Sequence, residues 1–498
     1  MKRRTFILSA VAGAAAAIAI PQQAGAAVLG RPSAASASAA SRIAPMLPGR
    51  GPYLHVSTLD ELRSAISSST KGGTIILADG TYAVPDGAPI SLAGAGGRWN
   101  KPLTIMAETI GGVRFTGAQS FVFDATHDLQ LTGFVFTQST TLEIPASCRS
   151  VTLSRNEFVL ADIEGMHCVM VRADDTVIEY NHFHSKSTLG IFLGIEGAGS
   201  TEMAENVHIH HNYFSDHTFA GDNGGEPIRL GVSPRALSSA HAVVEYNLFE
   251  RTNGDPEAIS VKSSDNTVRF NTIRDSGGGI VLRHGNRTRV EANHIIRGER
   301  GIRIYGNDHV VVNNYIGETA DTAVVLGAGT LRDHYEGEPA NSRNKNDAAD
   351  RVRIALNTIV GNAGGISGET HRPIEPNDCV IVDNIIQGDS GTLTSVPVSV
   401  GFTWSGNILW GAAPDGDLPA TGFTRVDPQL ARDAAGVWRI GASSPAVDAA
   451  TRDHSGIVRD DIDGRKRTGR ADVGAHESGA SVAKRAPLTP ADVGPLAP

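Results

Sequence analysis

Residues 268–273 read Val268-Arg269-Phe270-Asn271-Thr272-Ile273. The same shape, apolar-x-Asn-x-apolar, returns as Ala292-Asn293-His294-Ile295 and as Asn313-Asn314-Tyr315-Ile316. Upstream it stands around Asn156, Asn181, Asn212 and Asn247, and downstream around Asn357, Asn384 and Asn407. Most intervals fall in the range of solenoid repeats. Short alternating stretches such as Val268-Arg269-Phe270 and Ile302-Arg303-Ile304 lie between the asparagines, separated by glycines and polar turns. That is strand–turn–strand, not helix. The pattern predicts an all-β, single-stranded right-handed parallel β-helix, in which stacked rungs share one core. Asparagine at one turn of each rung can stack as a hydrogen-bonded ladder and tolerates a left-handed backbone there. A β-propeller is the weaker alternative, because blades repeat at about 40–50 residues with a different signature.

This reading settles a problem of size. The chain has 498 residues, 40% hydrophobic and 5% aromatic, with 56 glycines. That length is long for one globular core, yet no internal stretch looks like a linker. A solenoid lengthens in one dimension and needs neither a larger core nor a linker. Thr58-Leu59-Asp60-Glu61 is a capping box with Leu59, Leu62 and Ile66 on one helical face, so a short N-terminal helix is expected to cap the first rung. Asp461-Ile462-Asp463-Gly464 and Asp472-Val473-Gly474-Ala475-His476-Glu477 are read as a final capping segment. The β-helix domain is set at residues 49–477, and 478–498 are expected to be a disordered tail.

Lys2-Arg3-Arg4-Thr5-Phe6-Ile7-Leu8, an Ala-rich apolar run and Ala24-Gly25-Ala26 resemble a twin-arginine export signal over residues 1–26. Residues 27–48 are Ala/Ser-rich and read as loose. The protein is expected to be secreted, with no membrane span elsewhere. Removing residues 1–26 takes away three basic residues and no acid, which moves the formal charge from −9 to −12. So acidic a chain is not a general nucleic-acid binder. Cys148, Cys168 and Cys379 show no CxxC spacing and read as buried free thiols.

Four stretches carry cations between inward aliphatics: Arg229, Lys262, Arg283 and Arg303. Alternation points them outward, and their spacing from the rung asparagines is expected to stack them as one column. Such a column calls for an anionic partner, and arginine suits carboxylate or sulfate. Asn223, Asp255 and Glu257 lie on the same rungs, an amide and two carboxylates that suit Ca²⁺.

Four blocks resemble polysaccharide lyase family six, the alginate lyase and chondroitinase B family. They are Asn223-Gly-Gly-Glu226-Pro-Ile-Arg229-Leu-Gly231, then Gly254-Asp255-Pro-Glu257-Ala-Ile-Ser-Val-Lys262, then Leu282-Arg283-His284-Gly285-Asn286, and Gly301-Ile-Arg303-Ile-Tyr305-Gly306. The resemblance implies β-elimination on an anionic uronate polysaccharide. On it Lys262 falls on the Brønsted base and Arg283 on the residue assisting the leaving oxygen. Asn223, Asp255 and Glu257 fall on the calcium ligands. Asp255 stands where the family more often has Glu. Neighbouring cations are expected to favour the neutral form of Lys262. Glu226, Arg229, His284, Arg303, Tyr305 and Tyr335 are the expected substrate contacts. The insert Glu318–Asp350 is expected to break the rung pattern and wall the groove. Alginate is the expected substrate, with dermatan sulfate or chondroitin next. A β-helix hydrolase, a uronate epimerase and a non-catalytic glycan-binding solenoid stand as rivals, and the protein is expected to be a monomer or homodimer.

Overall fold

The computed structural model describes residues 53–498, apart from residues 70, 222, 336, 340, 480 and 481. The export signal and the segment 27–48 lie outside the described residues. Three sheets run the length of the chain. The first has 14 strands from Tyr53–Val56 to Thr403–Ser405, and the second has 14 from Gly80–Ala83 to Phe423–Arg425. The third has ten, from Leu142–Ile144 to Thr394–Ser395. Within one rung the chain visits the third, first and second sheets in turn, as in Glu257–Lys262, Thr267–Arg269 and Thr272–Arg274. Each strand then pairs in parallel with its counterpart one rung on. This is a parallel β-helix.

The inward positions explain why short strands suffice. Leu230, Val261, Leu282, Ile304 and Leu326 stack in register and are all fully buried. Phe136, Phe158, Phe183, Phe214 and Phe249 form a second interior column, with successive rings 4.7–5.1 Å apart. Burying each such side chain is worth about 1.5–3 kcal/mol, so stacked rungs stabilise what no rung could alone.

The asparagine ladder runs unbroken from Asn156 to Asn407. Each Oδ1 accepts from the backbone N–H and the Nδ2 of the preceding asparagine, as Asn293 does from Asn271 at 3.0 Å in both bonds. The left-handed residue is not the asparagine, however, but the one before it. Arg155, Tyr180, His211, Tyr246, Phe270, Ala292, Asn313, Leu356 and Asp383 all have φ between 51° and 58°. Left-handed backbone costs a non-glycine residue roughly 1–2 kcal/mol. The amide bonds of the following asparagine hold that backbone in place.

The N-terminal end matches expectation and the C-terminal end does not. The helix Leu59–Ser68 forms as predicted, with Thr58 accepting from the Glu61 N–H and Leu62, Ala65 and Ile66 buried. The segment 426–477, which includes the stretches read as a final cap, instead lies along the flank. Val437, Ile462 and Ala475 pack on Ala292, Tyr315 and Val360, while Val458 packs on Val312 and Leu356. The residues read as a disordered tail also dock there. Leu488 and Val493 are buried against Leu248, and Arg155 donates to the carbonyls of Pro495 and Ala497 at 2.9 and 2.6 Å. Their apolar side chains meet the aromatics of the asparagine corner, a contact that an Ala- and Pro-rich composition hides. Cys148, Cys168 and Cys379 are buried free thiols.

Candidate active site

The expected single column of four cations resolves into two. Arg229 pairs in register with Ser260, Ser260 with Val281, and Val281 with Arg303. Arg229 and Arg303 therefore share one column, and Lys262 lies two residues beyond it on its own strand. A register shift after Val261 makes Lys262 pair with His284, which leaves Arg283 as the extra residue of a bulge. Bulges re-aim side chains and often lie beside active sites. Sequence spacing could not show this one.

Each cation leans on an acid from another rung. Lys262 Nζ lies 3.1 Å from Glu226 Oε1, and Arg283 Nε lies 3.9 Å from Glu257 Oε1. The two pairs repeat one relation, one rung apart. Arg229 reaches Glu196 at 3.6 Å. Arg303 bonds Glu369, two rungs further on.

Behind the cations the acids crowd together. Glu226 and Asp255 are 1% and 3% exposed, and Glu257 is half-buried. Asp255 accepts from the Glu257 N–H at 3.0 Å and from the Gly225 N–H at 3.4 Å. Burial, with the nearby charges of Glu226 and Glu257, still pushes its carboxyl up to about 7. Glu226 Oε2 is buried with no hydrogen-bond partner. Glu257 accepts from the Ser260 hydroxyl. Glu226, Asp255 and Glu257 thus concentrate negative charge behind Lys262 and Arg283. Among the described residues no group of three or more Asp, Glu, His or Cys side chains is arranged to hold a metal ion, so these carboxylates alone do not form a metal site. Asn223 is exposed on the loop before Glu226.

Besides Glu226, two more expected contacts are buried rather than presented. His284 is 3% exposed, bonds the Ser233 hydroxyl through Nε2 at 3.0 Å, and is pushed down to about 3 by burial and by Arg283 and Lys262. It braces the groove wall as a neutral ring. Tyr305 is fully buried, with its hydroxyl 3.0 Å from both Glu369 oxygens and 3.2 Å from Arg372 Nη1. Arg283, Arg303 and Arg372 each stand 5.2–5.5 Å from its ring centre. Glu369 and Arg372 were not among the residues read from sequence. The signal for them, Glu369-Thr370-His371-Arg372 directly after a strand, has no spacing that marks it.

The insert begins later than expected. Thr322–Leu326 is an ordinary strand of the third sheet, and the excursion follows it. Its Arg343 donates to the Pro234 carbonyl at 3.2 Å, beside Ser233, so the excursion does reach the wall that His284 braces. Tyr335 stands 63% exposed on it. His309 is buried and bonded to the Tyr305 carbonyl, a structural contact.

A parallel β-helix that aligns a lysine and an arginine over clustered carboxylates on one sheet is the class of protein that the fold and site define. The model for the family described as chondroitinase B matches residues 56–367, and the chain belongs to that family, polysaccharide lyase family six. Three solved structures share its fold. The family-six alginate lyase AlyGC has a TM-score of 0.66 at 24% identity, with 85% of this chain and 58% of that chain covered. A mannuronic acid-specific family-six lyase from human gut microbiota has a TM-score of 0.63 at 23% identity, covering 75% and 91%. A family-six alginate lyase in complex with a trisaccharide has a TM-score of 0.62 at 22% identity, covering 80% and 93%. The chain thus spans about three fifths of AlyGC. No curated protein matches the sequence.

Proposed function

We propose that the protein is a secreted lyase that cleaves a uronate polysaccharide, alginate first among them, by β-elimination. The carrying observation is the repeated pair of Lys262 on Glu226 and Arg283 on Glu257, on adjacent rungs of one sheet. In this reading Lys262 Nζ takes the proton from C5 of the uronate. The C5–H electrons form the C4–C5 double bond, and the C4–O bond breaks. Arg283 stabilises the departing oxygen, which takes up a proton. Negative charge gathers on the uronate carboxylate as C5 loses its proton, so a cation facing it stabilises the transition state. Asn223, Asp255 and Glu257 would hold Ca²⁺, with Glu226 beside them, and the ion would neutralise that carboxylate. Arg229 and Arg303, in their own column, position flanking sugars. The Arg3-Arg4 segment supports export in the folded state.

The choice of alginate rests on the Asn223–Gly231 and Gly301–Gly306 blocks, which resemble the alginate branch. A panel of purified polymannuronate, polyguluronate, dermatan sulfate and chondroitin, followed by ultraviolet absorbance, tests the reading. New absorbance from unsaturated uronate ends is expected with alginate blocks, and chelation is expected to reduce it. Chain cleavage without that absorbance identifies a hydrolase and overturns the proposal.

A further inference from the structure

The flank covered by segment 426–477 carries a second concentration of positive charge. It lies at the corner between the first and second sheets, opposite the third sheet with Lys262. A concavity of about 690 Å³ opens there, bordered by Arg452, Arg459, Lys466 and Arg470. Among the described residues none of these four meets a carboxylate as an ion pair. Arg452 donates to the Ser405 hydroxyl at 3.2 Å, and Arg470 donates to the carbonyls of Ala450 and Ala449 at 2.6 and 3.2 Å. The acids on the rim are Asp453 and Asp460, and Asp453 is engaged by the Ser455 N–H at 2.8 Å.

The backbone holds these cations together. Asp460 bridges Lys466 antiparallel, and the Arg467 N–H donates to the Arg459 carbonyl at 3.0 Å. Arg459 and Lys466 are thereby fixed on the two limbs of one short turn, with Lys466 directly across from Asp460. Arg459 also borders a neighbouring hollow of about 490 Å³, whose wall includes Arg485 and the Arg289–Glu291 ion pair. Several exposed arginines on the rungs do meet an aspartate one rung away, as Arg287 meets Asp265 at 2.7 Å. Unpaired cations around a concavity, on a protein of net negative charge, mark a place for an anion.

We infer that this concavity is a second binding site, for an acidic oligosaccharide, that anchors the polymer away from the cleavage groove. The inference rests on the polyuronate reading above. Its volume falls in the range of ligand sites. Spaced cations around an open hollow suit carboxylates repeated along a chain, and guanidinium groups engage each as a fork. No Trp, Tyr or Phe lines the hollow, which removes the stacking that single-stranded nucleic acid uses. Anchoring raises the local concentration of polymer at the groove without any new contact there.

Hydrogen–deuterium exchange on the full Lys262→Ala chain, which binds without cleaving, tests the site. Added oligoguluronate is expected to protect residues 450–471 as well as the groove strands. A neutral cello-oligosaccharide is expected to protect neither. In Arg459→Ser/Lys466→Ser the 450–471 protection disappears while groove protection and the thermal midpoint stay, and Arg459→Lys restores part of it. In the cleaving enzyme the double substitution is expected to raise KM for polymer about fivefold, with kcat unchanged. Groove protection without protection of 450–471 overturns the second site and leaves the lyase reading standing. Protection of 450–471 by inorganic phosphate or an oligonucleotide but not by uronate overturns the choice of ligand. No protection anywhere, with no unsaturated product from the unsubstituted enzyme, overturns both readings.

Discussion

Two columns of charge climb the same rungs and obey opposite rules. At the turn between the third and first sheets stand Asp265, Arg287, Asp308 and Arg351, all with left-handed backbone. Their signs alternate rung by rung, and each arginine forks onto the aspartate before it, at 2.7 and 2.8 Å. A few residues earlier on those rungs, the groove stacks like with like. Acid crowds acid in Glu226, Asp255 and Glu257, and Lys262 is followed by Arg283. The first arrangement neutralises itself and needs no ligand. The second leaves a buried carboxylate oxygen unpaired and a carboxyl pushed up to about 7. Charge that is paired in its own column is scaffold, and charge that is not marks the site.

The largest expected effect sharpens that contrast. Lys262→Ala should lower kcat by about 10²–10⁴, the range for losing a general base. Arg283→Ala should cost about 10²–10³, as for losing a donor at a developing oxyanion. Both should leave the circular dichroism spectrum and polymer binding intact. Full turnover by Lys262→Ala would remove the base from the mechanism, and the groove column would lose its claim to chemistry.

A stability effect of intermediate size comes from the neutral column beside these two. Asn293→Ala removes the acceptor of the Asn271 N–H and Nδ2, and the donor to Asn314 Oδ1 and the Val268 carbonyl. All three asparagines are fully buried. Stranding buried polar groups costs about 1–3 kcal/mol each, so a total near 3 kcal/mol is expected. Hydrogen exchange should quicken from the rung of Asn247 to that of Asn357 and leave the first rungs unchanged. Uniform loosening of the whole chain would argue against nearest-neighbour stability in this solenoid.

How much of this was legible follows from which contacts are periodic. The asparagines announce themselves because every rung repeats them, so fold and rung order could be read directly. Lys262, Arg283 and the acids could be read through their block motifs. The bulge at Arg283 could not, because one extra residue in a strand leaves no mark in composition. Glu369 meets Tyr305 across 64 residues, and the flank segment meets Asn313 across 147, so neither contact has a period to betray it. The tail failed for a related reason. Leu488 and Val493 look like isolated apolar residues until Tyr213 and Tyr246 supply the surface they cover.

The smallest expected effect is the one that would most directly break the comparison. Arg287→Ala deletes a bidentate pair on the self-neutralising column, with the Arg287 side chain 52% exposed. Solvent screens such pairs, so the loss should stay below about 1 kcal/mol and shrink further in high salt. Asp265 keeps its bond from the Ser239 hydroxyl and is not left bare. Activity on polyuronate should stay within about twofold of the unsubstituted enzyme. A loss of kcat on the scale of Arg283→Ala, four residues away on the same rung, would mean that the two columns share one function. The rule that separates charge paired within its own column from charge that is not would then fail in this protein.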